Sequence, residues 1–184
     1  MDLETGNYVE NMDVEAYDQR KAAKDPALSV EIPKQKDTAS IKRKAKIAKV
    51  YLVKDGNAIK SIILPVNGYG LWSTMYGFLA LNADGQTVQS INFYDQAETP
   101  GLGGEVVNPV WRALWKDKKV YSSSGDVALG LVKGNVDPTK EDSAYKVDGL
   151  AGATLTSAGV TNLIRYWMSN EGFAPYLAKV RTGG

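Results

Sequence analysis

At 184 residues, with 43% apolar and 23% charged side chains, the chain has the size and composition of one well-packed domain and lies outside the disordered, collagenous and fibrous classes. Its 22 basic and 21 acidic residues leave a net charge of +1, too little to neutralise a phosphate backbone, so nucleic acid is not expected as a partner. Cysteine and histidine are absent, which excludes thiolate nucleophiles, disulfides, Cys/His zinc sites and imidazole acid-base catalysis, and leaves carboxylates, hydroxyls, backbone groups or a cofactor to carry any chemistry.

Residues 1–44 are polar, broken at Asp25-Pro26 and Ile32-Pro33, and carry a basic cluster at Lys42, Arg43 and Lys44. They read as a peripheral arm, with short helical pieces between Val9 and Lys24 and no sustained apolar stripe. The domain proper is expected over residues 45–184. Ile47, Val50 and Leu52 lead into Asp55-Gly56, a tight-turn dipeptide, and Ile59, Ile62, Ile63 and Leu64 follow, which is the pattern of a β-hairpin. Met75 to Leu81, Asp84-Gly85 and Val88 to Tyr94 repeat it.

Asn108-Pro109 opens a short helix with Val110, Trp111, Leu114 and Trp115 along one side, and Ala128 to Val132 reads as a strand. Ser157 to Ser169 is the clearest helix, since Val160, Leu163, Ile164 and Trp167 recur at helical spacing. Gly172 punctuates it, and Phe173 to Arg181 continues as a last helix with Pro175 near its start. The expectation is an α+β fold, an antiparallel sheet built from hairpins with flanking helices. No run approaches the roughly 18 apolar residues that cross a bilayer, and no signal-peptide pattern follows Met1, so the chain as given reads as soluble.

Three glycine-containing stretches fall between these elements, where backbone is free to meet a ligand. In the first, from Asn67 to Ser73, Gly70 frees the chain while Leu71 and Trp72 offer an apolar surface beside the Ser73 hydroxyl; a tryptophan is more often core than platform. In the second, Glu98, Thr99, Pro100, Gly101, Leu102, Gly103 and Gly104 make either a simple Pro-Gly turn or a cradle for a planar, edge-polar ring. In the third, from Asp148 to Ser157, Gly149, Ala151, Gly152 and Ala153 clear space around Thr154, with Leu155 and Thr156 just beyond. Thr154 precedes the amphipathic helix, where unpaired N–H groups favour a phosphate; equally, Thr156 or Ser157 can serve as an ordinary helix cap. Neither Gly68-Tyr69-Gly70 nor Gly101-Leu102-Gly103 continues as a dinucleotide fingerprint.

Taken together, Ile63-Leu64-Pro65-Val66, Gly70-Leu71-Trp72-Ser73, Glu98 to Gly104 and the Thr154 region resemble the FMN-binding domain of the NqrC family, a component of the sodium-translocating NADH:quinone oxidoreductase. That family's flavinylation motif, Asp-x-x-Ser/Thr-Gly-Ala-Thr, maps onto Asp148, Ala151, Gly152, Ala153 and Thr154, with Ala151 in place of the usual hydroxyl residue. The resemblance implies FMN joined covalently through its phosphate to Thr154 by a flavin transferase that uses FAD. It implies cofactor contacts from Gly70 to Ser73, from Glu98 to Gly103, and from Gly152, Ala153, Leu155 and Thr156. It further implies electron relay toward quinone beside the other members of a membrane complex, with one N-terminal membrane helix beyond the present sequence and the domain on the outer side of the cytoplasmic membrane. The related RnfG component of the Rnf complex shares the threonine motif, but Gly70-Leu71-Trp72-Ser73 is more similar to the sodium pump. The alternatives are a free flavoprotein reductase, against which the absence of a nicotinamide fingerprint counts, and a binding module with Thr154 unmodified.

Overall fold

The structure is a computed structural model that describes residues 1–182. At its centre a four-stranded antiparallel sheet runs in the order β3-β4-β5-β6, with β3 at Tyr51–Asp55, β4 at Ala58–Tyr69, β5 at Thr74–Asn82 and β6 at Val88–Asp95. Alternation decides which face is buried. Ile62, Leu64 and Val66 of β4, Met75, Leu79 and Leu81 of β5, and Ile91 and Phe93 of β6 point inward and are almost wholly removed from water. Each such side chain contributes about 1.5–3 kcal/mol of burial. Gly56 and Gly85 both take left-handed backbone, with φ of 58° and 66°, at the expected hairpin turns. Pro65 is tolerated within β4 because pairing with β3 ends at Tyr51 and Ile63, two residues earlier, so its missing N–H breaks no ladder there.

The sheet is covered on its inner face by α3, Thr154–Met168, from which Val160, Leu163, Ile164 and Trp167 enter the core as the spacing predicts. The helix begins three residues earlier than expected, at Thr154 itself. A final helix, α4 at Ala174–Arg181, adds Tyr176 and Leu177. These elements make the α+β fold read from the sequence.

Some expectations change. The expected strand at Ala128–Val132 shrinks to β7, Gly130–Leu131, and pairs in parallel with β8, Lys146–Val147. Helix α2 spans only Pro109–Ala113, capped by Asn108, whose side chain accepts from the Val110 N–H at 2.9 Å. Trp111 and Trp115 are buried edge to face, with ring centroids 5.6 Å apart, whereas Val110 is 76% exposed. Successive helical residues point about 100° apart, so Val110 cannot share the face of that i, i+4 pair.

The N-terminal segment also differs from a peripheral arm. Met1, Leu3, Ile32 and Ala39 are buried in the same hydrophobic cluster as the sheet. A short helix, α1 at Gln19–Ala22, precedes a two-stranded ribbon of β1, Ser29–Glu31, and β2, Arg43–Ala45, so the expected boundary after residue 44 falls inside a strand. Single apolar residues far apart in sequence carry no periodicity, and nothing in the pattern marks them as core.

Candidate functional site

The three glycine stretches meet at the N-terminal end of α3, and a buried carboxylate from the second, Glu98, joins all three. Gly70 to Ser73 is the turn between β4 and β5, closed by the Gly70 N–H on the Ser73 carbonyl at 2.8 Å. Glu98, 4% exposed, lies beneath that turn. Its Oε1 accepts from the backbone N–H groups of Trp72 and Ser73, both at 3.0 Å, and from the Ser73 hydroxyl at 3.1 Å. Its Oε2 accepts from the Leu71 N–H at 3.0 Å and from the Thr156 hydroxyl at 2.7 Å. Burial pushes the carboxyl pKa upward, but the Thr156 hydroxyl and the three N–H donors together outweigh it and hold the group below its ordinary range.

Two glycines make room for this arrangement. A Cβ on Gly70 would stand 2.6 Å from Glu98 Oε1, and one on Gly103 would collide with the Thr156 hydroxyl. The sequence offers Glu98 as a polar contact for a ring; the structure turns it inward, with both oxygens engaged by the protein. Thr99 and Pro100 are exposed, and the Thr99 carbonyl accepts from the N–H of Leu102 at 3.1 Å and of Gly104 at 2.9 Å, forming a tight loop. Gly101 heads that loop at φ 74° with open space where a side chain would be, and Leu102 reaches over Gly152.

Around the head of α3 the hydroxyls divide sharply. Thr156 is 1% exposed and committed to Glu98; Ser157 is 8% exposed and accepts from the Leu150 N–H at 3.0 Å. Thr154 is exposed as the first residue of the helix, flanked by exposed Ala151 and Gly152 and buried Ala153. No side chain caps this end, and among the described residues the N–H groups of Thr154, Leu155 and Thr156 have no protein acceptor. Leu71, Trp72, Leu102 and Leu155 are 37%, 65%, 42% and 61% exposed, an unusual set of open apolar side chains on loops that meet.

Asp148 faces away from this surface: its Oδ1 accepts from the Val136 N–H at 2.8 Å, and its carbonyl accepts from the Trp111 indole at 3.0 Å. It shapes the loop leading to Thr154. One contributor escapes the sequence reading. Gly159 lies against the Tyr69 carbonyl and Gly70 Cα, 2.5 and 2.9 Å from where its Cβ would stand, letting α3 touch the turn directly. A glycine inside an amphipathic helix, which costs about 1 kcal/mol relative to alanine, was the available signal.

Comparison with known proteins places these loops in a family. Residues 70–169 match the FMN-binding domain family, a span that opens at the turn and closes at the end of α3. The NqrC protein of the Na(+)-translocating NADH-quinone reductase of Pseudomonas aeruginosa is 52% identical over 183 residues, covering 100% of this chain and 70% of that protein. Its counterpart in Vibrio anguillarum is 50% identical, covering 100% of this chain and 71% of its own length. The crystal structure of Shewanella oneidensis NqrC superposes with a TM-score of 0.90 at 35% identity, over 99% of this chain and 82% of that one. The chain therefore belongs to the NqrC family of Na(+)-translocating NADH-quinone reductases and contains that family's FMN-binding domain.

Proposed function

We propose that the chain carries FMN through a phosphoester to Thr154 and relays electrons within a Na(+)-translocating NADH:quinone reductase. The observation that supports it most is the contrast of hydroxyls at the head of α3: Thr156 and Ser157 are buried and hydrogen-bonded, and Thr154 is open. A flavin transferase would join the Thr154 oxygen to the FMN phosphorus of FAD, releasing AMP, and the threonine would lose its hydroxyl proton.

The residues present fit that group. Unpaired N–H groups at the start of a 15-residue helix suit a phosphate, while Leu71, Trp72, Leu102 and Leu155 offer apolar contact to a ring. Bound FMN supplies one- and two-electron redox chemistry that side chains lack. The protein's part is to hold the turn of residues 70–73 rigid through Glu98 and to keep Thr154 accessible. A covalent link holds the cofactor at high effective concentration on the outer side of a membrane, where a dissociating flavin would be diluted. Among the described residues no helix is long and apolar enough to cross a bilayer; the membrane helix proposed for the natural protein would lie outside this chain. Neighbouring proteins of the reductase would deliver and remove the electrons, so the isolated domain acts as a carrier without turnover of its own.

The test is the intact mass of protein made with a flavin transferase, followed by tryptic mapping. The expected increment is one FMN less one water, located by fragmentation at Thr154 within the peptide ending at Arg165. Unmodified mass in the presence of active transferase, or flavin on Thr156, overturns the attachment. Dithionite should reduce the loaded domain reversibly, while fast direct reduction by NADH would favour a free reductase instead.

A further inference from the structure

The outer face of the central sheet carries a feature that the flavin reading leaves unused. A groove of about 950 Å³ runs between that face and the N-terminal segment, separate from the loops around Thr154. Its floor is aromatic. Tyr51 meets Phe78 edge to face at 5.9 Å between ring centroids, and Phe78 stacks on Tyr94 at 5.2 Å. Tyr51 and Tyr94 remain 45% and 50% exposed. Its walls are basic, since residues 20–24 and 42–44 with Lys49 supply seven cationic side chains to the lining, against Glu15 and Asp18.

Some of these cations are already engaged, three by carboxylates and one by a backbone carbonyl. Arg20 pairs with Asp95 at 2.9 Å and lies over the Tyr76 ring; Lys21 pairs with Asp18 at 3.8 Å; Arg43 approaches Glu31 at 3.7 Å; and Lys44 donates to the Glu171 carbonyl. Among the described residues Lys24, Lys42 and Lys49 have no carboxylate partner, and Glu15 is the only acidic lining residue outside these pairs.

We propose that this groove docks an extended acidic segment of a partner protein, placing an aliphatic or aromatic side chain on the Tyr51, Phe78 and Tyr94 floor and carboxylates beside Lys24, Lys42 and Lys49. Charge and shape select that occupant. A second copy joined groove to groove would oppose two cationic walls, which complementarity forbids. A flat anionic bilayer would meet the rims and leave the concave aromatic floor uncovered. An extended chain projects alternate side chains to opposite sides, so one face can fill the floor while flanking acidic groups reach the walls.

The test uses the 184-residue protein and fluorescence anisotropy of a labelled peptide of repeating Glu-Tyr-Glu-Leu. Two control peptides replace its glutamates by lysine or its apolar residues by serine, and phosphatidylglycerol vesicles test the membrane alternative. The expected result is saturable binding of the first peptide only, weakened about tenfold or more by high salt and by K24E/K42E/K49E. Tyr94→Ser, at a half-exposed position that leaves the core untouched, should weaken binding at unchanged salt dependence, and circular dichroism checks each variant's fold. Absence of saturable binding at low salt, equal binding of the serine peptide, or insensitivity to Tyr94→Ser overturns the proposal. Vesicle binding abolished by the lysine reversals, without peptide binding, would assign the face to a membrane surface instead.

Discussion

The head of α3 and the outer face of the sheet both expose large apolar side chains, yet they are held in different ways. At the head of α3, exposed Leu71 and Trp72 stand on backbone whose N–H groups are fixed by Glu98, and glycines bring the loops within contact of one another. On the outer face, the rings of Tyr51, Phe78 and Tyr94 stand on regular strands, while lysines frame them. The first region has its geometry set before any ligand arrives, which suits a cofactor whose ring must keep one position. The second has a fixed floor and adaptable walls, which suits a partner chain.

The sharpest way to break this contrast is to remove the fixed carboxylate. Glu98→Ala leaves three N–H groups and two hydroxyls without their buried acceptor and should cost about 3–5 kcal/mol in denaturant unfolding. In a folded sample, hydrogen exchange should rise at Leu71, Trp72 and Ser73 and stay unchanged along β3. Glu98→Gln, which keeps the shape, should cost less. Linkage gives a pH signature. The folded Glu98 carboxyl is held below its ordinary range, so its contribution is present above the unfolded pKa, about 4.3, and is lost as pH falls through the lowered folded value. Wild type should therefore lose stability on acidification more steeply than Glu98→Gln; parallel curves would mean that folding does not lower the Glu98 pKa, and the opposite slope would mean that the carboxyl is protonated in the folded protein.

Smaller effects separate close packing from backbone strain. Gly103→Ala forces a methyl against Thr156 and Glu98 and should cost about 1–3 kcal/mol by thermal or chemical unfolding. Gly101→Ala meets no neighbour but must hold φ at 74°, at a cost of about 1–2 kcal/mol. A change in flavin absorbance or potential in Gly101→Val beyond that seen in Gly101→Ala, which shares the backbone strain, would report on cofactor approach. Unchanged flavin properties would make the loop purely structural.

Much of this framework can be read along the sequence, because it depends on local signals. Asp55-Gly56 and Asp84-Gly85 mark the first and last of the sheet's three hairpin turns, and the spacing of Val160, Leu163, Ile164 and Trp167 marks the buried face of α3. The inward turn of Glu98 cannot be read that way. Its partners lie 25 to 27 residues before it and 58 after it, and its neighbours Thr99 and Pro100 look like any ligand loop. The same limit hides the basic groove, since Lys42, Arg43 and Lys44 read as a solvated cluster until the sheet supplies a floor. It also hides Leu3 and Ile32, which reach the core singly.

The smallest expected effect on stability carries the central claim. Thr154 is exposed and makes no side-chain hydrogen bond among the described residues, so Thr154→Ala should change unfolding free energy by no more than about 0.5 kcal/mol. Thr156→Ala removes a buried donor to a carboxylate and should cost about 1.5–3 kcal/mol. The covalent chemistry should run the other way. The most direct measurement is in-gel flavin fluorescence, under denaturing conditions, of wild type, Thr154→Ala and Thr156→Ala produced with a flavin transferase. The expected result is a dark Thr154→Ala band of full stability beside a fluorescent Thr156→Ala band of reduced stability. A fluorescent Thr154→Ala band, or a dark band from folded Thr156→Ala, would contradict the assignment of the open hydroxyl as the flavin's attachment point.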